Sequence, residues 1–472
     1  MEVPACQGCA ALMLLVEQLR AEVAQLRAEL AATQAELAAA KKNSSNSSKP
    51  PSSDIVKKPT QKPNNGKKRQ RGGQPGHPRH ERTPFPDDQV DYIDLRCLEC
   101  PDCHGPVVPS KLPPKVMQQV DLPVPSEMIS VVGFRSHACW CRKCRQVHYA
   151  PLDPAARQAG LVGPRLTAVI AYLKGVCHCS YSTIRKFIRD VLAITISRGY
   201  LTKLIAKTSA SLKDAYDALA GRLASEARLN VDETGHKDNG TPMWTWCFRA
   251  SLFTLFKIDD SRGSAVLVDM LGTEFNGILG CDYFSAYRKY MKDFNVLVQF
   301  CLAHFLRDVR FLVAHPNTRN QAYGRRVLER LRNLFGVIHS RDNVSARAFR
   351  IDLQNAGDEL WAEVVYRVPN TAEARNLAER FERHGESYLR FITTPGIEPT
   401  NNLAEQAIRF VVIDRKVTQG SRSETGQRWL ERIWTAMATC AQTGRSVFTL
   451  LHESLTAYFS GRATPQLLSD ST

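Results

Sequence analysis

A chain of 472 residues with 43% hydrophobic and 23% charged positions has material for about three domains and large apolar cores, which excludes a wholly disordered, collagen-like or mucin-like class. Its 63 Lys+Arg against 47 Asp+Glu leave a net charge of +16, which points to a polyanionic partner. No apolar run nears the ~18–20 residues of a membrane span, and the short run at 10–16 has no basic residue before it, so a cytoplasmic, nucleoid-associated protein is expected rather than a secreted or membrane one.

Residues 9–40 read as one helix with a heptad seam. Val16, Val23, Leu30 and Leu37 fall seven apart at a positions, and Leu12, Leu19 and Leu26 fall at d. Val at a with Leu at d favours a two-stranded parallel coil, and Glu22 at g can pair with Arg27 at the following e. A homodimer or higher oligomer is the expected consequence; the plainer alternative is an amphipathic helix docked on its own chain. Residues 41–95 form a basic linker rich in Ser, Asn, Pro and Gly, with twelve Lys/Arg between 41 and 82 against Asp54 and Glu81 alone. Such a stretch cannot fold by itself and suits an arm that neutralises DNA phosphates by counterion release.

Six of the fourteen cysteines lie between 97 and 144. Cys100 and Cys103 form one CxxC knuckle, and Cys141 and Cys144 another. Each knuckle turn delivers two thiolates, so the four suit one tetrahedral Zn²⁺ in a domain spanning 96–150. Cys97 and Cys139 are adjacent substitutes, which leaves the choice of four open. Residues 160–225 read as helical. A helix through 182–189, a turn near 193–195 and a helix from 197 onward resemble a helix-turn-helix, with Arg198, Lys203 and Lys207 on the second helix facing DNA. A plain two-helix packing unit is the alternative.

The period then changes. Segments 228–232, 243–248, 252–258, 277–282 and 296–301 read as strands, with helices at 265–271, 285–291 and 304–315. Three strands followed by β–α units predict a mixed α/β domain around a central sheet, beginning at 226–316. Residues 317–395 read as a helical insertion, and 396–460 return to the core with further helices. Asp232 and Asp282 end apolar strands, and Glu405 lies one turn into a helix. Three such carboxylates could hold a pair of Mg²⁺ (or Mn²⁺) ions for phosphoryl transfer. Each also has a local use: Asp232 as a turn cap with Glu233 competing for its role, Asp282 as a helix N-cap, Glu405 in a capping box with Asn402 or paired with Arg409.

The segments Val231-Asp-Glu-Thr234 with Trp244-Thr-Trp246, Gly280-Cys-Asp282-Tyr-Phe-Ser-Ala-Tyr287, Cys301-Leu-Ala-His304 and Asn402-Leu-Ala-Glu405-Gln-Ala-Ile-Arg409 together resemble the DDE transposases of the IS-sixty-six type of insertion sequence. Leu302 and Gln406 depart from that pattern, standing where Trp and Arg are usual. The resemblance covers nearly the whole chain. It implies an RNase H-like core, Asp232, Asp282 and Glu405 as metal ligands, and His304 as an auxiliary group that orients water or contacts phosphate. Arg409, Arg415, Lys416 and Arg422 would grip DNA beside the metals. The implied activity is cleavage and joining of double-stranded DNA at the inverted ends of a mobile element, alone or with helper proteins. A zinc-containing DNA-binding regulator or accessory protein without catalysis is the rival reading, and a structure-selective nuclease a third.

Overall fold

The computed structural model describes residues 7–40, 86–90, 125–135, 137–141, 146–149 and 151–468. The basic arm and Cys100, Cys103 and Cys144 therefore lie outside the described residues. Helix α1 (Gln7–Ala40) is continuous, as its heptads predict. Every a and d residue of its seam is solvent-exposed in the single chain, from Val16 at 41% to Leu12 at 65%. A short helix α2 (Pro125–Met128) precedes an antiparallel pair, β1 (Ala138–Cys141) and β2 (Gln146–Tyr149), so the second knuckle begins at the end of β1.

The span 160–225, read as helical, is helical in the structure. Helices α3 (Pro154–Ala159), α4 (Pro164–Gly175), α5 (Tyr181–Leu192), α6 (Arg198–Ser211) and α7 (Lys213–Arg222) follow one another. Ser197 caps α6 by accepting the Tyr200 N–H, and the connection from α5 turns through Ala193 in the left-handed region. Leu201, Leu204, Ile205 and Thr208 bury one face of α6, which packs on α4 and on the C-terminal helices α15 (Glu424–Thr443) and α16 (Val447–Phe459).

The core is a five-stranded sheet of β3 (Arg228–Asp238), β4 (Thr241–Arg249), β5 (Thr254–Asp259), β6 (Ile278–Cys281) and β7 (Leu297–Phe300), in the order β5-β4-β3-β6-β7. β3, β4 and β5 are antiparallel; β6 and β7 run parallel to β3. Helices α8 (Ala265–Leu271), α9 (Ser285–Phe294) and α10 (Leu302–Val313) connect the parallel part. Trp246, Phe248, Phe256, Phe300, Phe305 and Trp434 are fully buried around the sheet. The strand read as ending at Asp232 continues six residues to Asp238, because β3 and β4 form a long hairpin that outlasts the parallel pairing with β6.

Both sheet edges are closed by helices. Outer amides of β5 at Thr254, Phe256 and Ile258 donate to Thr439 Oγ1, Thr435 Oγ1 and Glu431 Oε1 of α15 at 3.2, 3.0 and 2.7 Å. A helix advances ~6 Å in four residues and a strand ~6.7 Å in two, so side chains spaced i, i+4, i+8 reach alternate amides along the edge. At the other edge, α13 (Ala372–Thr393) covers β7. Arg390 Nε donates to the Val298 carbonyl, and Gln299 bonds both the Tyr388 carbonyl and the Phe391 amide. Helices α11 (Thr318–His339), α12 (Ala346–Val365) and α13 occupy the span read as a helical insertion, and α14 (Asn402–Thr418) carries Glu405.

Candidate active site

The parallel register sets the two aspartates. Arg228, Leu229 and Asn230 of β3 face Ile278, Leu279 and Gly280 of β6, so two residues further on Asp232 and Asp282 leave neighbouring strands at matching positions. Asn401 brings in the third acid: its Nδ2 donates to the Val231 carbonyl at 2.8 Å, and its Oδ1 accepts from Asn230 Nδ2 at 2.9 Å. Those bonds hold the start of α14 beside β3, and Glu405 sits one turn inward. Farther along α14, Arg415 Nη1 donates to Thr234 Oγ1 at 3.1 Å. Gly420, with φ of +93°, lets the chain pass the Lys237 carbonyl where a Cβ would collide.

Repulsion felt by Asp232 and Asp282 marks Glu405 as their neighbour. Burial, then the Glu233, Asp282 and Glu405 carboxylates, push Asp232 well above the ordinary carboxylate range. Asp282 is pushed up to about 6 by burial and the Glu233 charge, partly offset by the Phe284 amide that its Oδ1 accepts at 2.9 Å. That bond makes a tight turn rather than the helix N-cap, which falls at Phe284 without a side-chain cap. Glu405 makes no capping box: its carboxylate faces Arg307 Nη2 at 3.4 Å and His304 Nδ1 at 3.6 Å.

Glu233, the competitor of Asp232, is accounted for otherwise. Its side chain is 2% exposed, its Oε1 accepts from Arg262 Nε and Nη2 at 3.0 and 2.7 Å, and its Oε2 accepts from Tyr287 Oη at 2.5 Å. Arg262 lies between the Phe284 and Trp244 rings, 3.9 and 4.5 Å from their centroids. Three donors thus occupy most of the roughly four lone-pair sites of Glu233, which leaves it poorly placed as a metal ligand. Trp246 is buried with its Nε1–H on the Ser261 carbonyl, a packing role.

His304 has a defined tautomer. Arg307 Nη1 lies 3.2 Å from its Nε2, and a guanidinium can only donate, so the neutral ring carries its proton on Nδ1, toward Glu405. Burial with Arg307 and Arg380 pushes this histidine down to about 4, so it is neutral near pH 7. His304 Nδ1 and Glu405 Oε1 are buried and neither has a hydrogen-bond partner. Cys301, His304 and Glu405 also place ligand atoms within 4.8 Å of one another. Cys301 is a poor member of that group: burial pushes its thiol up to about 11, and its sulfur accepts the Asn401 amide. Two repelling carboxylates beside a third with a vacant buried oxygen fit a hard divalent cation better than a thiolate metal.

The basic residues divide. Arg409 and Lys416 on α14 are exposed, as are Arg198 and Lys203 on α6. Lys207 is turned to another use: its ammonium donates to the Gln158 and Ala159 carbonyls at 2.6 and 3.1 Å and so closes the end of α3. Arg307, Arg262, Tyr287 and Asn401 escaped the sequence reading. Arg307 was findable, since it stands one turn after His304 on a helix; the others depend on contacts across 29 to 170 residues.

A five-stranded mixed sheet, with Asp232 within β3, Asp282 directly after β6 and Glu405 on α14, is consistent with an α/β core of the transposase class. Residues 159–428, more than half of the chain, match the Transposase IS66 family, and the chain belongs to that family. Residues 2–83 match a family of unknown function. The chain is also similar to "Uncharacterized protein y4qI" of Sinorhizobium fredii, with 25% identity over 335 residues, or 64% of this chain. It spans 61% of that relative's length.

Proposed function

We propose that Asp232, Asp282 and Glu405 are the catalytic acids of a DNA strand-transferring enzyme built on an RNase H-like core. One observation supports this reading: beside the Asn401 bridge to β3, the carboxyl of Asp232 is pushed up by burial and by the neighbouring Glu233, Asp282 and Glu405 carboxylates. When bound there, two Mg²⁺ (or Mn²⁺) ions supply charge neutralisation and activation of water or a 3′-hydroxyl. The chain's own residues hold and orient them. Asp232 sits on β3 and Asp282 directly follows β6, while the Nδ1–H of His304 and the guanidinium of Arg307 face Glu405 and set its direction. Exposed Arg409 and Lys416 continue along α14 as phosphate contacts, with Arg415 anchored at Thr234.

The rest of the chain serves recognition and pairing of double-stranded DNA ends. The exposed α1 seam pairs two subunits, one structural Zn²⁺ on Cys100, Cys103, Cys141 and Cys144 orders the region after the basic arm, and Arg198 and Lys203 face DNA. Purified protein incubated with element-end DNA is expected to cleave it only with a divalent ion. Asp232→Asn, Asp282→Asn and Glu405→Gln should each lower cleavage by more than the ~10–100-fold that loss of an outer partner costs, with DNA binding retained. Undiminished cleavage in all three variants would remove the assignment.

A further inference from the structure

Tyr283 directly follows Asp282, and two arginines from different parts of the chain approach its ring. Arg288, on α9 of the core, lies 4.5 Å from the ring centroid, and Arg380, on α13 of the helical insertion, lies 4.9 Å from it. Arg380 also sits over Phe305 and Tyr388 at 5.4 and 5.7 Å. Only its Nη1 is satisfied, by Asp308 at 2.8 Å; Nε and Nη2 are buried without a hydrogen-bond partner. Arg288 has a buried, unpartnered Nε and makes no ion pair among the described residues.

Guanidinium N–H groups taken from water and left without acceptors are costly, and the aromatic faces beneath them offer charge but no hydrogen bonds. Planar N–H forks in that condition match the paired oxygens of a phosphodiester. The local field agrees with net positive charge that Asp308 leaves uncancelled. His384, packed on Tyr283 at 5.6 Å, is held below the usual imidazole range by burial and by Arg288, Arg383 and Arg380 together.

We propose that Arg288 and Arg380 form a phosphodiester clamp around Tyr283, by which the helical insertion grips the DNA strand that enters beside Asp282. This inference rests on the proposed strand-transfer reading, since it names the backbone contact of that same site. It is separate from the basic residues of α14, which approach from the Glu405 side.

The test measures affinity of the full-length protein for a labelled duplex DNA probe across a salt series. Wild type, Arg288→Gln, Arg380→Gln and Arg380→Lys are compared. Each lost phosphate contact lowers the slope of log affinity against log salt by about 0.9, and both Gln variants are expected to show that drop. Arg380→Lys should keep the slope, because a charge remains. Slopes equal to wild type in both Gln variants would overturn the clamp. Should Arg380→Gln fail to fold by circular dichroism, Arg288→Gln decides alone. Divalent-dependent cleavage is measured in parallel. Cleavage by wild type with unchanged slopes removes the clamp and leaves the catalytic acids standing. Lowered slopes in a protein that never cleaves keep the clamp and remove the catalytic reading.

Discussion

Asp282 ties stability to pH through its elevated proton affinity. Its folded value of about 6 exceeds the ordinary 3.8, so its ionised form is disfavoured by folding. Stability from this group is therefore full below pH ~4 and is lost as pH rises through about 6. A shift near two units amounts to ~3 kcal/mol at most. In metal-free protein, Asp282→Asn is expected to raise the melting temperature at pH 7 and to leave it unchanged at pH 4. Added Mg²⁺ should raise the wild-type value at pH 7 by binding the folded state; equal melting of both proteins at both pH values would contradict the carboxylate repulsion. Glu233 supplies the converse case. Removing Arg262 strands a buried carboxylate, so Arg262→Ala should cost about 2–3 kcal/mol, less than a fully buried pair because Arg262 is 39% exposed. Adding Glu233→Gln should recover part of that loss in a chemical denaturation cycle. Adjacent Asp232 and Glu233 could not be separated by residue type alone. Strand alternation turns them to opposite faces, and the partner that occupies Glu233 lies 29 positions away.

At the level of elements, periodicity revealed most of what formed. The apolar segments at 228–232, 243–248, 277–282 and 296–301 all became strands, and the helix read at 265–271 matches α8. Boundaries slipped where tertiary partners extend an element: β3 runs to Asp238 because β4 continues opposite it. Less legible was the role of polar positions on a buried helix. Glu431, Thr435 and Thr439 are all inaccessible to solvent, a pattern that reads as misplaced polarity until the edge amides of β5 are seen against it. Thr435→Val keeps the shape and removes the acceptor for the Phe256 amide. A loss of about 1–3 kcal/mol is expected, with faster hydrogen exchange at that amide and little change at β6. Unaltered exchange at Phe256 would contradict the side chain's role.

For the molecule as a whole, the heptad seam of α1 is solvent-exposed among the described residues, and the proposed pairing of two subunits rests on it. Val23→Asp should shift full-length protein toward monomer in analytical ultracentrifugation, while the melting of the sheet core stays within ~0.5 kcal/mol of wild type. An unchanged mass would count against the coil. The α1 helix and most strands of the mixed sheet were visible as spaced residues, and so were the three acids proposed as catalytic. The clamp on Tyr283 was not, because Arg288 and Arg380 are 92 positions apart and meet only when the insertion folds back on the core.

That return of the insertion has a consequence for how such a protein can be trimmed or evolve. Arg390 of α13 donates to the Val298 carbonyl of β7, and the helix covers the strand edge that would otherwise be open to another chain. Excision of residues 346–393 would bare an unprotected strand, and the shortened protein should polymerise edge to edge.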